Sequence, residues 1–534
     1  MMHYFVGDLG HLFVITSFIT SLVAGFSYFR AVTSTALEHK NAWLINGKIS
    51  FYVHAAAVLG ICITLFVIIG KHYFEYHYAY SYSDRKLPGY YLISTFWNGQ
   101  EGSFMLWMFW HAVLGIILIN TNKFWEAPVM TVFAVVQAFL ASMILGVVIP
   151  GLNLKLGSSP FILLRDVMQA PIFKSQPEFI PLDGNGLNPL LQNYWMVIHP
   201  PTLFLGFAST LVPFSFCIAG LWLKRYTEWV RPALPWTLFG GAILGLGILM
   251  GGYWAYETLN FGGYWNWDPV ENAVYVPWLI LIAAIHTMIT YKNSETALRT
   301  SMFLIIATFV LILYSTFLTR SGILGESSVH SFTDLGLSGQ LLAYLSFFFL
   351  VSFVLLIVRW RDIPSTDKSI SFYSRELWIF IGVLILVGMG AQVLHETSKP
   401  VYNAIAKWFG GAGNSAPRAD AIQFYSNFQL WFAVLVAILS GFAQFFWWRN
   451  ADKVQLKKEL LPPALLSALL FAVIITAAKI VTAQYIVLTL ASVFAVVANA
   501  TILISLLRSS PVLSGGAIAH IGAGMMLLGI MFSS

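Results

Sequence analysis

The stretch GGYWNWDPVENAVYVPW, residues 262–278, decides how this chain is read. It crowds aromatic residues into a short loop closed by an acid, a proline and a second acid, and it joins two long apolar segments. The flanking segments each bring a histidine to the point where apolar sequence gives way to polar. These are His199 in NPLLQNYWMVIHPP (188–201) and His330 in RSGILGESSVH (320–330). An aromatic floor flanked by two imidazoles is what a haem requires, with ring faces for the porphyrin and nitrogens for the iron.

Outward from that loop the chain is apolar almost everywhere. Of 534 residues, 58% are hydrophobic and 10% are charged, against about 25% charged in a soluble domain. A membrane-spanning helix needs about 20 mainly apolar residues. Such stretches lie at roughly 9–29, 52–70, 104–121, 128–150, 199–223, 236–254, 274–291, 301–319, 338–358, 376–395, 427–448, 461–479, 483–506 and 512–532. The division around Lys479 is the least sharply marked. No basic stretch precedes the first apolar run, which therefore reads as a retained span.

Loop charge orients these spans. The short loops after odd-numbered spans hold most of the 29 Lys and Arg, from Arg30, Lys40 and Lys48 after the first to Lys453, Lys457 and Lys458 after the eleventh. The positive-inside rule then puts both termini outside the cytoplasm. The expected fold is an all-α polytopic membrane protein of about fourteen spans. Residues 1–534 are expected to form one integral membrane domain, with both termini and the aromatic loop (254–278) on the non-cytoplasmic side, which the resemblance described below makes periplasmic. Other outer segments run over 71–103, 151–198 (leading to His199), 320–337 (with His330) and 396–426, whose GGAGNSAPRAD reads as a flexible loop. No repeat of fixed period is visible, which argues against an inverted-repeat transporter. The net charge of +6 comes from these short loops and gives no sign of nucleic-acid binding. Cys62 and Cys217 each sit inside an apolar run and read as buried free thiols rather than a disulfide or a metal site.

The aromatic loop holds Trp254, Tyr256, Tyr264, Trp265, Trp267 and Trp278, with glycines at 251, 252, 262 and 263 that let backbone approach a ligand. Asp268-Pro269 suits a helix start, with Asp268 as cap and Pro269 at the first helical position. Glu271 then falls in the first turn, where negative charge is favoured. An interfacial aromatic belt also gathers Trp and Tyr at the headgroup level. A belt leaves the glycine pairs and the acids inside the loop unexplained.

Ionisable residues within spans are costly and usually functional. His286 stands six residues before Lys292, and His520 twelve residues after Arg508. At 1.5 Å per residue these are depths of about 9 Å and about 18 Å, both in the cytoplasmic half. These depths could meet across one porphyrin, and two neutral imidazoles on facing helices are the usual ligands of a b-type haem. Gly515, Gly516, Gly522 and Gly524 around His520 leave room for a flat ligand or a close helix. The same histidines also suit interhelical hydrogen bonds. His54 and His111 remain rival ligands: depth argues against His111, and nothing decisive excludes His54.

With these residues in view the chain resembles a known family. WNWDPVENA resembles the tryptophan-rich WWD signature of haem-handling proteins of cytochrome c maturation. NPLLQNYWMVIHPPTLFLG, RSGILGESSVHSF, FWNGQEGSFMLW (96–107) and AHIGAGMMLLG (519–529) are similar, in order, to segments of the CcmF family, the haem-lyase subunit of the multi-component bacterial pathway. The resemblance implies a multi-pass protein of the bacterial inner membrane. On it, His199 and His330 correspond to outer histidines that hold substrate haem at the WWD site, with Trp254, Trp265, Trp267 and Asp268 as further reaction-site residues. His286 and His520 correspond to the ligands of a permanent, bis-histidine intramembrane haem b, with Tyr264, Glu271 and Arg320 as further cofactor-binding residues. By charge Arg320 is the better partner for a haem propionate, which leaves structural roles for Glu257, Asp268 and Glu271.

The family takes haem from a periplasmic haem chaperone (CcmE) and joins its vinyl groups to the thiols of a CxxCH motif in apocytochrome c. Subunits of the CcmH kind are expected to present that substrate, and quinol to supply electrons. Members of the family continue past the last histidine span into an outer domain and a further helix. This sequence ends at Ser534, so the resemblance carries nothing about that domain or its docking role. Three other readings compete. They are the single-complex synthetase that shares the WWD loop, a haem or small-molecule exporter, and a quinol-oxidising cytochrome b subunit, for which His286 and His520 suffice.

Overall fold

The structure is a computed structural model. It describes every residue except 1, 150, 152–153, 259–262, 326–327, 329–334, 366–370, 417, 419, 447–452 and 534. The expected His330, Gly262, Lys368 and Arg449 therefore lie outside the described residues.

Among the described residues, 14 helices are long and apolar enough to cross a membrane, as the sequence predicts. They are α1 (Tyr4–Thr33), α2 (Leu37–Gly70), α3 (Gln100–Thr121), α4 (Glu126–Met143), α5 (Tyr194–Trp222), α6 (Val230–Thr258) and α7 (Pro269–Ser294). The chain continues through α8 (Leu298–Arg320), α9 (Ser338–Arg359), α10 (Arg375–Thr397), α11 (Ala421–Phe442), α12 (Lys453–Ala478), α13 (Ala483–Ser509) and α14 (Gly515–Ser533). Most run past the apolar stretch that marks them, because helical hydrogen bonding continues into polar flanks that a hydropathy window excludes. The blurred division at Lys479 is real: α12 ends there on a left-handed residue, φ 53°.

The chain forms two compact units. The first comprises Met1–Trp265, Pro269–Val274 and Ile305–Asp362. Its interior is aromatic, with Tyr28, Phe51, Trp107, Phe133, Phe214 and Trp229 fully buried. Cys62 and Cys217 are buried there on α2 and α5. Segment 71–103 folds against the start of α5, where the Trp97 indole donates to the Met196 carbonyl at 2.8 Å. Burial holds the Tyr78 hydroxyl well above its usual pKa, so it stays protonated and donates to the Phe96 carbonyl at 2.7 Å. A small antiparallel hairpin, Val147–Ile149 with Leu154–Leu156, follows α4.

The second unit comprises Asn266–Asp268, Tyr275–Leu304 and Ile363–Ser534. Small residues build its core: Ala437, Ala491 and Ala495 pack with Val434, Leu488 and Met531. A Cβ on Gly441 would lie 2.9 Å from the Phe494 ring, so α11 and α13 meet at close range. This is how helices pack when lipid removes the hydrophobic drive between them.

Candidate functional site

In the first unit, α5 is fastened before it reaches His199. The Asn193 side chain caps the helix, accepting from the Trp195 backbone N–H at 2.9 Å, and its Nδ2 donates to Thr258 Oγ1 at 2.9 Å. Trp195 Nε1 donates to Glu257 Oε2 at 2.8 Å, and the Tyr194 hydroxyl to Glu257 Oε1 at 3.3 Å. Glu257 thus ties the start of α5 to the end of α6. Deeper in, glycines set the helix separation. A Cβ on Gly206 would stand 2.7 Å from Leu244 Cα, and one on Gly247 2.9 Å from Leu203 Cα.

That close seam places the imidazole. His199 Nδ1 donates to the Gly247 carbonyl at 2.9 Å. With the proton fixed on Nδ1, Nε2 keeps a lone pair for a metal. One turn further along α6, Gly251 leaves the space the ring occupies: a Cβ there would be 2.8 Å from His199 Cε1. The Trp254 ring lies 5.8 Å from the imidazole, tilted by 60°. Its indole N–H is buried and makes no hydrogen bond among the described residues.

Along the aromatic loop, Tyr264, Trp265 and Glu271 belong to the first unit, and Trp267 and Asp268 to the second. The Tyr264 carbonyl oxygen lies 3.0 Å from where a Cβ on Gly252 would stand. Trp267 is left-handed, φ 56°, a conformation that costs a bulky residue about 1–2 kcal/mol. Its ring is held by Tyr425, stacked at 4.9 Å, and by Tyr275, edge-on at 5.9 Å. Pro269 opens α7, and Glu271 falls in its first turn.

Arg320 closes α8 and is only 8% exposed. Its guanidinium lies over Phe104 and Phe204, 5.4 and 5.6 Å from the ring centroids. Its carbonyl accepts from Gln100 Nε2 at 2.8 Å, and Ser158 Oγ donates to the neighbouring Glu101 at 2.6 Å. The FWNGQEGSFMLW segment therefore anchors the end of α8 and the segment before α5.

The second unit brings His286 of α7 and His520 of α14 together, with ring centroids 6.0 Å apart. His286 Nδ1 donates to the Ile282 carbonyl at 2.8 Å. His520 Nδ1 lies 2.7 Å from the Gly516 carbonyl. For His286 this bond turns Nε2 away from the backbone with its lone pair free; His520 Nδ1 has two polar neighbours, the Gly516 carbonyl and Gln444 Nε2. A metal–imidazole bond is about 2 Å, so two rings on opposite sides of one iron have centroids about 6 Å apart. The glycines near His520 divide into two kinds. Among the described residues, a Cβ on Gly515, Gly516 or Gly522 would meet nothing within 4 Å, whereas one on Gly524 would be 2.8 Å from Val496. Three leave open ground beside the histidine, and the fourth makes a close helix contact. The residues present fit a bis-histidine haem.

Two neighbours of His520 carry no sequence signal as site residues. Gln444 Nε2 is 3.0 Å from His520 Nδ1, and Arg375 donates to Gln444 Oε1 at 2.9 Å. Gln444 lies 76 residues from His520 in sequence, and its one hint is a polar residue in the apolar run GFAQFFWW. The rivals His54 and His111 lie on α2 and α3 of the first unit, fully buried. His54 Nδ1 is bonded to the Ser17 carbonyl at 2.9 Å.

Fold and geometry define the class: a multi-pass α-helical membrane protein with one imidazole pair inside a helix bundle and another histidine beside a tryptophan-rich loop. A family model described as cytochrome C assembly protein matches residues 97–324. The cytochrome c-type biogenesis protein CcmF of Escherichia coli K12 is 30% identical over 506 residues, which cover 92% of this chain and 71% of that protein. CcmF of Pseudomonas fluorescens is 32% identical over 329 residues, or 61% of this chain. The match to that relative spans 47% of its length, about half. The solved cytochrome c heme lyase CcmF has the same fold, with a TM-score of 0.74 at 20% identity, covering 100% of this chain and 77% of that one. The chain belongs to the CcmF family.

Proposed function

We propose that this chain is a haem-handling subunit of cytochrome c maturation that promotes attachment of haem to the CxxCH thiols of apocytochrome c. One observation carries the haem-handling part of this reading: two imidazoles with ring centroids 6.0 Å apart within the helix bundle, each with Nδ1 at a carbonyl of its own helix. Family membership and the fixed tautomer of His199 support it.

His286 and His520 would hold a resident haem b, which when bound supplies one-electron chemistry. Electrons from quinol would keep the substrate iron ferrous. The substrate haem would lie at the WWD loop with His199 and His330 as iron ligands. Trp254, Tyr264, Trp265 and Trp267 would offer ring faces to the porphyrin, while Asp268 and Glu271 shape the start of α7. Arg320 would neutralise a propionate. Each apocytochrome thiol adds across a vinyl group, sulfur to one carbon and hydrogen to the other, with no net redox change. No residue of this chain need become a covalent intermediate, so its contribution is positioning.

The partners would be a periplasmic CcmE-like haem chaperone, a CcmH-like subunit presenting apocytochrome c, and quinol. The setting would be the bacterial inner membrane with both termini periplasmic. A quinol-oxidising cytochrome b subunit needs only the intramembrane pair, and a haem exporter needs no covalent step. His199→Ala separates these readings. The lyase reading expects the variant to retain b haem, seen as a pyridine haemochrome, and to lose assembly of a reporter cytochrome c. Unimpaired assembly in that variant contradicts it.

A further inference from the structure

Between α10 and α11 runs a ten-residue helix, Lys399–Trp408, that turns the wrong side outward. At 100° per residue its side chains divide cleanly. Val401, Tyr402, Ala404, Ile405, Trp408 and, just beyond it, Phe409 fill an apolar arc about 160° wide, and Lys399, Asn403 and Lys407 share the opposite arc. On a water-facing helix the apolar arc packs inward. Here Lys399 and Asn403 on the polar arc pack inward, and Lys407 at the edge of that arc is exposed.

Lys399 Nζ is 2.6 Å from Glu396 Oε2, which Arg418 also reaches at 3.1 Å. Asn403 pairs with the Ser415 backbone through both ends of its amide, at 2.8 and 2.9 Å. The stem of Lys407 lies on Gly413, whose φ of 58° keeps that return turn tight. The apolar arc is left facing out, with Trp408 84% and Phe409 85% exposed.

We propose that this arc docks on the lipid bilayer, so that the helix lies in the membrane interface with Ile405, Trp408 and Phe409 inserted among the headgroups and upper acyl chains. Two features favour lipid over a protein partner. The helix starts beside Ser398, the residue that caps α10, so it lies at the level where a membrane span ends. It also carries the interfacial pattern of an indole beside an aliphatic anchor, with the exposed Lys407 on the polar side to meet anionic headgroups.

The test uses the full chain in vesicles of phosphatidylcholine and phosphatidylglycerol, spin-labelled in detergent before reconstitution at single cysteines. Cys62 and Cys217 are buried and do not compete for the label. Labels at Ile405→Cys, Trp408→Cys and Phe409→Cys are expected to collide with oxygen several-fold more than with a water-soluble nickel chelate. Labels at Lys407→Cys and Asn414→Cys are expected to show the reverse. Nickel collision at all five positions overturns the proposal. So does protection of 405, 408 and 409 that appears only when soluble proteins are added, which would make the arc a protein-docking face.

Discussion

Gly251 shows how much of the candidate site around His199 rests on single atoms. A methyl group there would stand 2.8 Å from His199 Cε1, and overpacking of this kind costs about 1–3 kcal/mol. Gly251→Ala should therefore displace the imidazole and sharply lower reporter cytochrome c yield while the haemochrome signal persists. Gly339→Ala, at the start of α9, whose new Cβ meets nothing within 4 Å among the described residues, should leave both unchanged. At the intramembrane pair, Gln444 approaches His520 Nδ1. A carboxylate in its place would accept the Nδ1 proton and make His520 a more basic ligand, which favours ferric iron. Gln444→Glu should lower the midpoint potential in a spectroscopic redox titration, and an unchanged potential would deny Gln444 that influence. These contacts were only partly legible in the sequence. Residue types and depths single out His199, His286 and His520. The left-handed backbone of Trp267 leaves no trace in composition, and neither does the meeting of Gln444 with a residue 76 positions away.

The decisive element is the α5–α6 pair. Its seam depends on Gly206 and Gly247, and its outer end on the Asn193 cap and the Glu257 tie. Gly247→Val should force the helices apart and lower the thermal stability of the purified protein. Asn193→Ala should cost about 1 kcal/mol, with Asn193→Asp close to neutral because the cap survives. Equal losses from both Asn193 variants would place the effect in the Thr258 bond instead. Apolar length and loop charge announce helices this long. The hairpin at Val147–Ile149 and Leu154–Leu156 escapes that reading because three-residue strands are too short to show a period. Pro200, Pro201 and Pro213 lie within α5, and nothing in their local sequence says that the helix continues through them.

For the whole molecule, the alternation of basic loops predicts that segment 396–426 faces the periplasm and the loop holding Lys224, Arg225 and Arg231 faces the cytoplasm. Alkaline phosphatase fused within 410–416 should be active, and fused after Arg231 inactive; the opposite pattern would invert the orientation. The fourteen spans were legible because lipid imposes a minimum apolar length on each. The grouping of helices into two compact units was not, because it depends on contacts between residues far apart in sequence. The central claim is that the imidazoles of α7 and α14 grip one iron. The most direct measurement is haem per chain, by pyridine haemochrome, in purified His286→Ala, His520→Ala, His54→Ala and His111→Ala variants. The account predicts that bound haem disappears in the first two and persists in the last two. Haem retained at the parent level in both His286→Ala and His520→Ala would contradict it.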